Sequence, residues 1–346
     1  MKIKDKSTII ASAVAILFLA VPMLALRLKP KAPIFDGTPL RGIIDLGRYV
    51  GTSKSLLTGY NYYLLKKYAQ SHGQSIDIRL AESEGAGLDS LRAGVIDIVV
   101  VPYIDTLAKD DVLVSIPIDS MSVCLMGERH DGRMADFNKW VEAYHTSEAF
   151  EPTREKFLHV YSPYRSGRRN CLSPYDSLMK VHADSLGWDW RMFAAIVWKE
   201  SCFHIEARSR RGAFGLMQMM PETAANFGLD NPLDPEQNIM AGAHYLKALQ
   251  NRFIHYGDNM TERYKYILAA YNAGEGRIQD CIRYALYHNV DISYWQNIVN
   301  LIPKMNEPKP EELELLRFGA FKGRETITYV EEVINAYNNF CRICPE

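Results

Sequence analysis

The spacing of apolar residues differs between the two halves of the chain. Up to about residue 144, short apolar runs alternate with longer segments of helical spacing. The run 75–80 alternates apolar and polar side chains like a half-buried strand, and the run 95–102 is almost continuously apolar, like a buried one. The other elements expected here are strands at 40–46 and 122–126 and helices at 59–72, 88–93 and 134–144. Strands that alternate with helices predict a parallel sheet.

Beyond residue 170 the spacing is helical throughout. The predicted helices cover 173–186, 189–201, 221–227, 238–253, 262–273, 277–287, 294–301 and 326–340. Ser173 followed by Pro174 is typical of an N-cap and a first-turn proline. The charged, turn-rich segment 151–170 predicts the domain boundary. We therefore expect an α+β multidomain fold, with an α/β lobe at 33–165 and an all-α domain at 170–346.

The first 32 residues are typical of a targeting segment. Lys2, Lys4 and Lys6 precede an apolar run at 9–28, which is long enough to span a bilayer. A cleaved signal peptide is the alternative, but no clear small-residue cleavage motif precedes the basic residues that follow. Both interpretations place the rest of the chain outside the cytoplasm, and an uncleaved membrane anchor is favoured.

Composition narrows the functional classes. A chain of 346 residues that is 47% hydrophobic has ample material for about two globular domains. Its formal net charge of −1 offers no basic field for nucleic acid. No phosphate-binding loop and no metal-ligand spacing is present, so neither a metal nor a cofactor is expected. Six cysteines leave disulfides open in an exported protein.

One carboxylate stands at the end of an apolar helix. Glu200 closes the segment 193–201, FAAIVWKES, and a Gly-Leu-Met-Gln-Met-Met-Pro segment follows at 215–221. Burial against apolar side chains raises a carboxyl pKa, so such a group keeps its proton near neutral pH and is able to act as an acid. The plainer alternative is a surface ion pair of Glu200 with Lys199 or Arg208.

Four further blocks accompany this segment in a fixed order. They are 215–218 (GLMQ), 238–246 (NIMAG with YL), 270–274 (AYNAG) and 325–330 (ET with YV). Together with Glu200-Ser201 they resemble the family 1 lytic transglycosylases, which cut peptidoglycan between N-acetylmuramic acid and N-acetylglucosamine. The resemblance covers roughly 171–340 and implies a lysozyme-like all-α domain.

The resemblance implies a mechanism with one catalytic group and no cofactor. Glu200 first protonates the glycosidic oxygen and then, as a base, takes a proton from the C6 hydroxyl to close a 1,6-anhydro ring. Tyr271 is expected beside the acid, and the Tyr329 hydroxyl is expected to point at it. Substrate binding is implied for Ser201, Gly215, Leu216, Met217, Gln218, Met219, Tyr271, Asn272, Ala273 and Tyr329. Other carboxylates of this region are interpreted as caps or surface charges: Glu206, Glu222 and Glu236.

The first half resembles one lobe of a periplasmic solute-binding protein. The phrases GYNYYLLKKYAQ and LRAGVIDIVVVP carry this likeness, but 97–122 lacks the arginine that such proteins use to hold a ligand, and little chain is left for a second lobe. The whole resembles membrane-bound lytic murein transglycosylase F with a shortened first domain. Expected partners are peptidoglycan glycan strands and the membrane, but not nucleic acid. A goose-type-lysozyme-like hydrolase and a non-enzymatic cell-wall-binding module are the alternatives.

Overall fold

The computed structural model describes residues 34–47, 56–103, 111–119 and 121–345. Within these ranges the chain forms two compact units, one made of 34–47, 65–77 and 81–147 and the other of 56–64, 78–80 and 148–345. The apolar run at 9–28 lies outside the described residues. Among the helices that are described, none combines the length and the apolar character needed to cross a bilayer.

A five-stranded sheet organises the first unit, which contains all of it except residues 78–80. Its strands are β1 (Leu40–Ile44), β2 (Ile76–Leu80), β3 (Ile98–Pro102), β4 (Val112–Val114) and β5 (Ser122–Gly127), in the order β2-β1-β3-β5-β4. β1 and β3 are parallel, but β5 is antiparallel to both β3 and β4. The prediction of a parallel sheet is therefore wrong for this side, because the connection 115–121 is too short for the crossover that a parallel neighbour needs.

Three helices accompany the sheet: α1 (Leu57–Ser71), α2 (Ala86–Arg92) and α3 (Asp131–His145). Leu88 and Leu91 of α2 pack on Val99 and Leu125 of the central strands. Asp45, just after β1, accepts hydrogen bonds from the backbone N–H of Gly85 (3.0 Å) and Gly87 (3.1 Å), so its carboxylate holds the start of α2. A small α/β region of the expected kind is thus present.

The second unit is helical. Its helices are α4 (Phe150–Leu158), α5 (Asp176–Leu186), α6 (Trp190–Ser201), α7 (Pro221–Asn226), α8 (Pro235–Arg252), α9 (Met260–Ala273), α10 (Glu275–Tyr287), α11 (Trp295–Asn306) and α12 (Arg324–Ile343). A 3₁₀ turn lies at Pro310–Leu315. α6 packs between α5 and α12, and α9 contacts α8, α10 and α12. The predicted all-α character of this half is confirmed.

Side-chain caps set several of the helix starts. Asp189 accepts a hydrogen bond from the backbone N–H of Arg191 at the start of α6. Asp234 caps α8, whose first residue is Pro235. Asn259 caps α9. These short polar side chains satisfy backbone donors that a helix leaves without intrahelical partners, so the sequence itself fixes where these helices begin.

Two sequence expectations for this unit are wrong. Ser173 is not an N-cap: its hydroxyl donates to Asp176 Oδ1 (2.8 Å), the other Asp176 oxygen accepts the Leu172 N–H (2.7 Å), and α5 begins only at Asp176. The segment predicted as a turn-rich boundary contains α4, because Phe157 is buried among the rings of Tyr60, Tyr63 and Tyr175. Burial of a single aromatic ring outweighs the charged composition of that helix.

Candidate active site

α6 carries Glu200 in its last turn. Its inner face from Met192 to Val197 is buried without a break, which explains the apolar run in the sequence. Lys199, the neighbour of Glu200, forms an ion pair with Glu332 of α12. Arg208 instead stacks its guanidinium over Phe214, 4.7 Å from the ring centroid. Neither of the cations proposed as surface partners of Glu200 is thus paired with its carboxylate.

The chain turns sharply straight after the acid. Cys202 has φ 50° and Phe203 has φ 68°, two successive non-glycine residues in the left-handed region. Such conformations cost free energy and persist only where packing enforces them. Phe203 supplies that packing, because its ring is fully buried and lies 6.0 Å from the ring of Tyr161. α6 therefore ends directly after Glu200, and its last turn is held at a fixed position.

The hydroxyl of Tyr329 donates a 2.5 Å hydrogen bond to Glu200 Oε1. Tyr329 belongs to α12 and is 5% exposed, so its hydroxyl has little access to water. Two contacts show the relative direction of α6 and α12. Tyr329 donates to Glu200 in the last turn of α6, whereas Tyr337, further along α12, donates to Asp189 at the start of α6 (3.0 Å). The antiparallel packing of α6 and α12 therefore delivers the phenol to the carboxylate.

Burial controls the ionisation of Glu200. The residue keeps part of its surface exposed, but protein surrounds its carboxyl group. Burial raises the Glu200 pKa to about 7, against smaller lowering effects of the Tyr329 hydrogen bond and the Lys199 charge. No second carboxylate among the described residues contributes to this shift. Near neutral pH the group is thus able both to give and to take a proton.

The loop at 215–219 is fixed by a buried asparagine. The Asn238 side chain accepts the Met217 N–H (2.8 Å) and donates to the Pro232 carbonyl (3.0 Å). Gly215 has φ 80°, and an added Cβ would lie 2.2 Å from Asn238 Nδ2, so glycine is required there. Leu216, Met217 and Met219 are buried, which makes their side chains part of the core. The surface of this loop therefore consists mainly of backbone groups.

Gln218 differs from its neighbours. Its φ is 46°, and its side-chain amide nitrogen donates to the carbonyls of Ala207 and Gly215, both at 2.9 Å. The N–H groups of this amide thus close the loop, while the residue stays partly exposed. The side-chain carbonyl oxygen of Gln218 is the group that remains for a polar ligand.

Tyr271 links this loop to the acid. Its hydroxyl donates a 2.6 Å hydrogen bond to the Met217 carbonyl. The pKa of Tyr271 is raised well above its usual value, first by burial and then by the negative charge of Glu200, which lies nearby. The rings of Tyr271, Tyr245 and Phe227 follow one another at centroid distances of 5.2 and 5.4 Å. An aromatic row therefore starts beside Glu200 and leads away from it.

The remaining predicted site residues have different positions. Ser201 directs its hydroxyl back to the Val197 carbonyl (3.0 Å) and is buried. Asn272 is exposed, and its side-chain oxygen accepts a 2.9 Å hydrogen bond from Thr326. Ala273 ends α9 and is half-buried. Geometry thus brings Glu200, Tyr271 and Tyr329 together and places Ser201 within its own helix.

Some residues that matter here were not predicted from the sequence. Asn238 stood within a motif block, but without a role. Thr326 was likewise unassigned. The interpretation of Glu206 as a cap or surface charge is wrong: it is 6% exposed and pairs with His204 Nδ1 at 3.0 Å. The spacing His-x-Glu in a turn could have indicated this pair, because two side chains two positions apart are able to meet across a turn.

The six cysteines are free thiols in the structure, and the described residues contain no cluster of His, Cys, Asp or Glu that fits a metal ion. Cys202 is exposed as a residue, but protein surrounds part of its thiol, and this partial burial raises the Cys202 pKa.

Part of the helical unit is similar to known proteins. Residues 177–290 match the family model of the transglycosylase SLT domain. Membrane-bound lytic murein transglycosylase F of Desulfosudis oleivorans is 34% identical over 167 residues, which are 48% of this chain and 36% of that protein. The protein of the same name from Shewanella woodyi is 31% identical over 214 residues, which are 61% of this chain and 42% of that protein. The chain thus spans less than half the length of these curated relatives.

Among solved structures, the 70 kDa soluble lytic transglycosylase from Escherichia coli is similar at 25% identity, with a TM-score of 0.33 over 50% of this chain and 25% of that chain. The matched segment 177–290 contains Glu200, the 215–219 loop and Tyr271, while Tyr329 lies beyond it. The similarity predicted from the motif blocks is confirmed for the helical unit, in which residues 177–290 match the transglycosylase SLT domain.

Proposed function

We propose that the protein is a peptidoglycan lytic transglycosylase that cleaves the β-1,4 bond between N-acetylmuramic acid and N-acetylglucosamine without water. The observation that carries this proposal is the Glu200 carboxyl, with a pKa raised to about 7 and a 2.5 Å hydrogen bond from Tyr329. A group of that pKa is half protonated near neutral pH. It therefore serves both as the acid of one step and as the base of the next.

In the first step, Glu200 donates its proton to the glycosidic oxygen, and the bond to C1 of the muramyl ring breaks. The N-acetyl group of the same sugar stabilises the positive charge that develops at C1. The Tyr329 hydroxyl stabilises the carboxylate that Glu200 becomes. Because the substrate supplies this stabilisation, the second carboxylate that most glycosidases use is not needed.

In the second step, the Glu200 carboxylate takes the proton of the C6 hydroxyl of the same muramyl ring. The C6 oxygen then bonds to C1, which gives a 1,6-anhydromuramoyl end and returns Glu200 to its acid form. The sugars lie along the 215–219 loop and the ring row of Tyr271 and Tyr245. Backbone groups, the Gln218 carbonyl and aromatic faces suit a polar ring with apolar faces.

We also propose where the enzyme is located and how its domains are arranged along the chain. The substrate lies in the cell envelope, and the printed names of the relatives, membrane-bound lytic murein transglycosylases, support an envelope location. We place the catalytic domain at 170–346 and a shortened solute-binding-like lobe at 33–165. The run at 9–28 anchors the chain in the membrane, so cell fractionation should recover the protein with membranes. Recovery in the soluble fraction alone would remove the anchor from the proposal.

Digestion of purified peptidoglycan with the wild-type protein and Glu200→Gln tests the central reaction. Gln is nearly isosteric and still accepts the Tyr329 hydrogen bond, but it transfers no proton. We expect the wild type to release products with anhydro ends, one water lighter than hydrolytic products by mass spectrometry. Because one group serves both steps, the variant should lose at least about 10²–10⁴-fold in rate.

Glu222→Gln is the matched control, since Glu222 is an exposed glutamate at the start of α7. It should cut at the wild-type rate. Reducing ends in the wild-type digest would identify a hydrolase, and an intact digest would identify a binding module. Anhydro products from Glu200→Gln at a tenth of the wild-type rate would remove Glu200 from the mechanism.

A further inference from the structure

The acid of the proposed reaction has a lysine as its neighbour in the chain. Lys199 and Glu200 both lie in the last turn of α6. A lysine close to a carboxyl group favours the ionised form and so opposes the effect of burial. Lys199, however, forms an ion pair with Glu332 of α12, and it has no other ion pair within the described part of the chain. The position of its ammonium group therefore depends on Glu332.

The antiparallel packing of α6 and α12 shows in which direction Lys199 is drawn. The two hydrogen bonds between these helices show that residues further along α12 lie opposite earlier residues of α6. Glu332 follows Tyr329 by about one helical turn, and it therefore lies opposite a point about one turn before Glu200. The ion pair thus draws the Lys199 ammonium toward the start of α6 and away from the Glu200 carboxyl.

The effects of the neighbouring groups on Glu200 agree with this position. Burial has the largest effect on the Glu200 pKa, the Tyr329 hydrogen bond has the next, and the Lys199 charge has the smallest of the three, although Lys199 is adjacent in the chain. The Glu332 carboxylate does not itself contribute to the shift. Any influence of Glu332 on the acid therefore passes through Lys199.

The other titratable groups around this carboxyl carry no charge near neutral pH. Tyr329 of α12 and Tyr271 of α9 have pKa values well above the usual one, because of burial first and then the charge of Glu200. Cys202, directly after α6, remains a neutral thiol, because partial burial raises its pKa. Among the described residues, Lys199 is thus the charged side chain that acts on Glu200.

The ion pair of Lys199 and Glu332 contributes little to stability. The Lys199 side chain is 30% exposed and the Glu332 side chain is 42% exposed. Ion pairs at such positions gain little, because water screens the charges and two long side chains lose conformational freedom. The main consequence of this pair is therefore the place at which it holds the ammonium group.

We propose that Glu332 is a positioning residue of the active site, which holds the Lys199 ammonium about one turn back along α6 and so prevents it from pairing with Glu200. This role deepens the proposed function and rests on it, because it concerns the protonation of the same acid. Without Glu332, the ammonium is free to approach the Glu200 carboxylate. The acid form of Glu200 is then lost at a lower pH than in the wild type.

Carbon-13 NMR titration of the glutamate carboxyl groups in the full chain measures the Glu200 pKa without any cleavage reaction. The signal that is missing in Glu200→Gln identifies the residue. Glu332→Gln should lower the Glu200 pKa by about 0.5 or more, as expected when a unit charge moves several ångströms closer. Lys199→Gln should raise it, because it removes the charge itself. Loss of the ion pair as a structural contact would instead have the same effect in both variants.

A double variant shows whether Glu332 acts through the lysine. In Lys199→Gln/Glu332→Gln, the Glu200 pKa should equal that of Lys199→Gln alone. Glu331→Gln is the matched control. It removes the same charge from the preceding residue of α12, which is exposed and has no ion pair in the described part of the chain. This control should leave the Glu200 pKa nearly unchanged.

The pH profile of cleavage provides a second measurement. The alkaline limb of kcat/KM should move to lower pH in Glu332→Gln and to higher pH in Lys199→Gln. The proposal is overturned if Glu332→Gln leaves the Glu200 pKa unchanged or raises it, or if it lowers the pKa equally with and without Lys199. An absence of anhydro products would remove the proposed function but would not alter the NMR titrations, so the two failures are distinguishable.

Discussion

Tyr329 and Glu200 are 129 positions apart in the sequence, and their side chains share a 2.5 Å hydrogen bond. The phenol favours the ionised form of the carboxylate. Burial, and then the charge of Glu200, raise the pKa of Tyr329 well above its usual value. The tyrosine therefore stays protonated at working pH and remains a donor. Of the pair, Glu200 is the group whose pKa, about 7, lies near neutral pH.

Tyr329→Phe should move the pH profile of the enzyme. Without the hydrogen bond that lowers it, the Glu200 pKa rises above about 7, and the alkaline limb of kcat/KM shifts to higher pH. A hydrogen bond to a charged group contributes about 1.5–3 kcal/mol, so the rate should fall about ten- to hundredfold, less than for Glu200→Gln.

Tyr337→Phe is the control for this prediction. It removes a 3.0 Å hydrogen bond to Asp189 on the same pair of helices, at the end away from Glu200. Its pH profile should equal that of the wild type. An unshifted alkaline limb in Tyr329→Phe would mean that the phenol does not tune the acid.

The raised pKa of Glu200 should make the protein less stable at higher pH. Below the ordinary pKa of 4.5, the carboxyl is protonated in both the folded and the unfolded states. Between pH 4.5 and about 7 only the unfolded chain releases the proton, so the free energy of unfolding falls as the pH rises. The total loss is at most about 3 kcal/mol, from about 1.36 kcal/mol per unit.

Glu200→Gln has no such proton to lose. Its free energy of unfolding relative to the wild type should therefore increase between pH 4 and pH 8, by up to about 3 kcal/mol. Urea unfolding of both proteins at the two pH values measures the change. A difference that is independent of pH would show that the folded protein does not raise the pKa of this carboxyl.

Gly215→Ala should destabilise the helical unit more than Gly212→Ala does. Both glycines have a positive φ, 80° and 90°, so alanine strains either position by about 1–2 kcal/mol. At Gly212 a Cβ meets nothing within 4 Å, whereas at Gly215 it would lie 2.6 Å from the Pro232 carbonyl oxygen. We expect a total loss of about 3 kcal/mol or more for Gly215→Ala, from strain and overpacking together.

Urea unfolding of the two variants measures this difference, and the Gly212 variant supplies the cost of backbone strain alone. Activity should follow stability, because the Met217 carbonyl that accepts the Tyr271 hydroxyl belongs to the displaced loop. Equal losses in the two variants would contradict the close packing of Gly215 against Asn238.

The sequence predicted those features that depend on local pattern. The helical period predicted α6 and α12, and the order of the motif blocks associated Glu200, Tyr271 and Tyr329 with one site. The hydrogen-bond partner of a side chain was harder to predict from the sequence. Ser201 was expected to bind substrate, and its hydroxyl donates to the Val197 carbonyl, because a helix offers a serine its own backbone.

Features that depend on tertiary contacts were missed. β4 is a three-residue strand and gives no periodic signal, so the antiparallel side of the sheet was not foreseen. Asn238 holds two separate loop segments by its amide, and neither segment is marked by spacing from it. Glu206 was misread because a charged residue in a turn is usually exposed, and here His204 compensates for its burial.

The position of Tyr329 on α12 also sets an order of events during synthesis. A growing chain contains Glu200 for 129 residues before Tyr329 is added. Until α12 docks, Glu200 lacks both its hydroxyl partner and the cover that α12 gives α6, so its pKa stays closer to the ordinary value for a glutamate. An unfinished or C-terminally truncated polypeptide therefore contains Glu200 but lacks the hydrogen bond and the burial that set its pKa. If the chain is the lytic transglycosylase proposed above, it begins to cleave peptidoglycan only when the helical unit is complete.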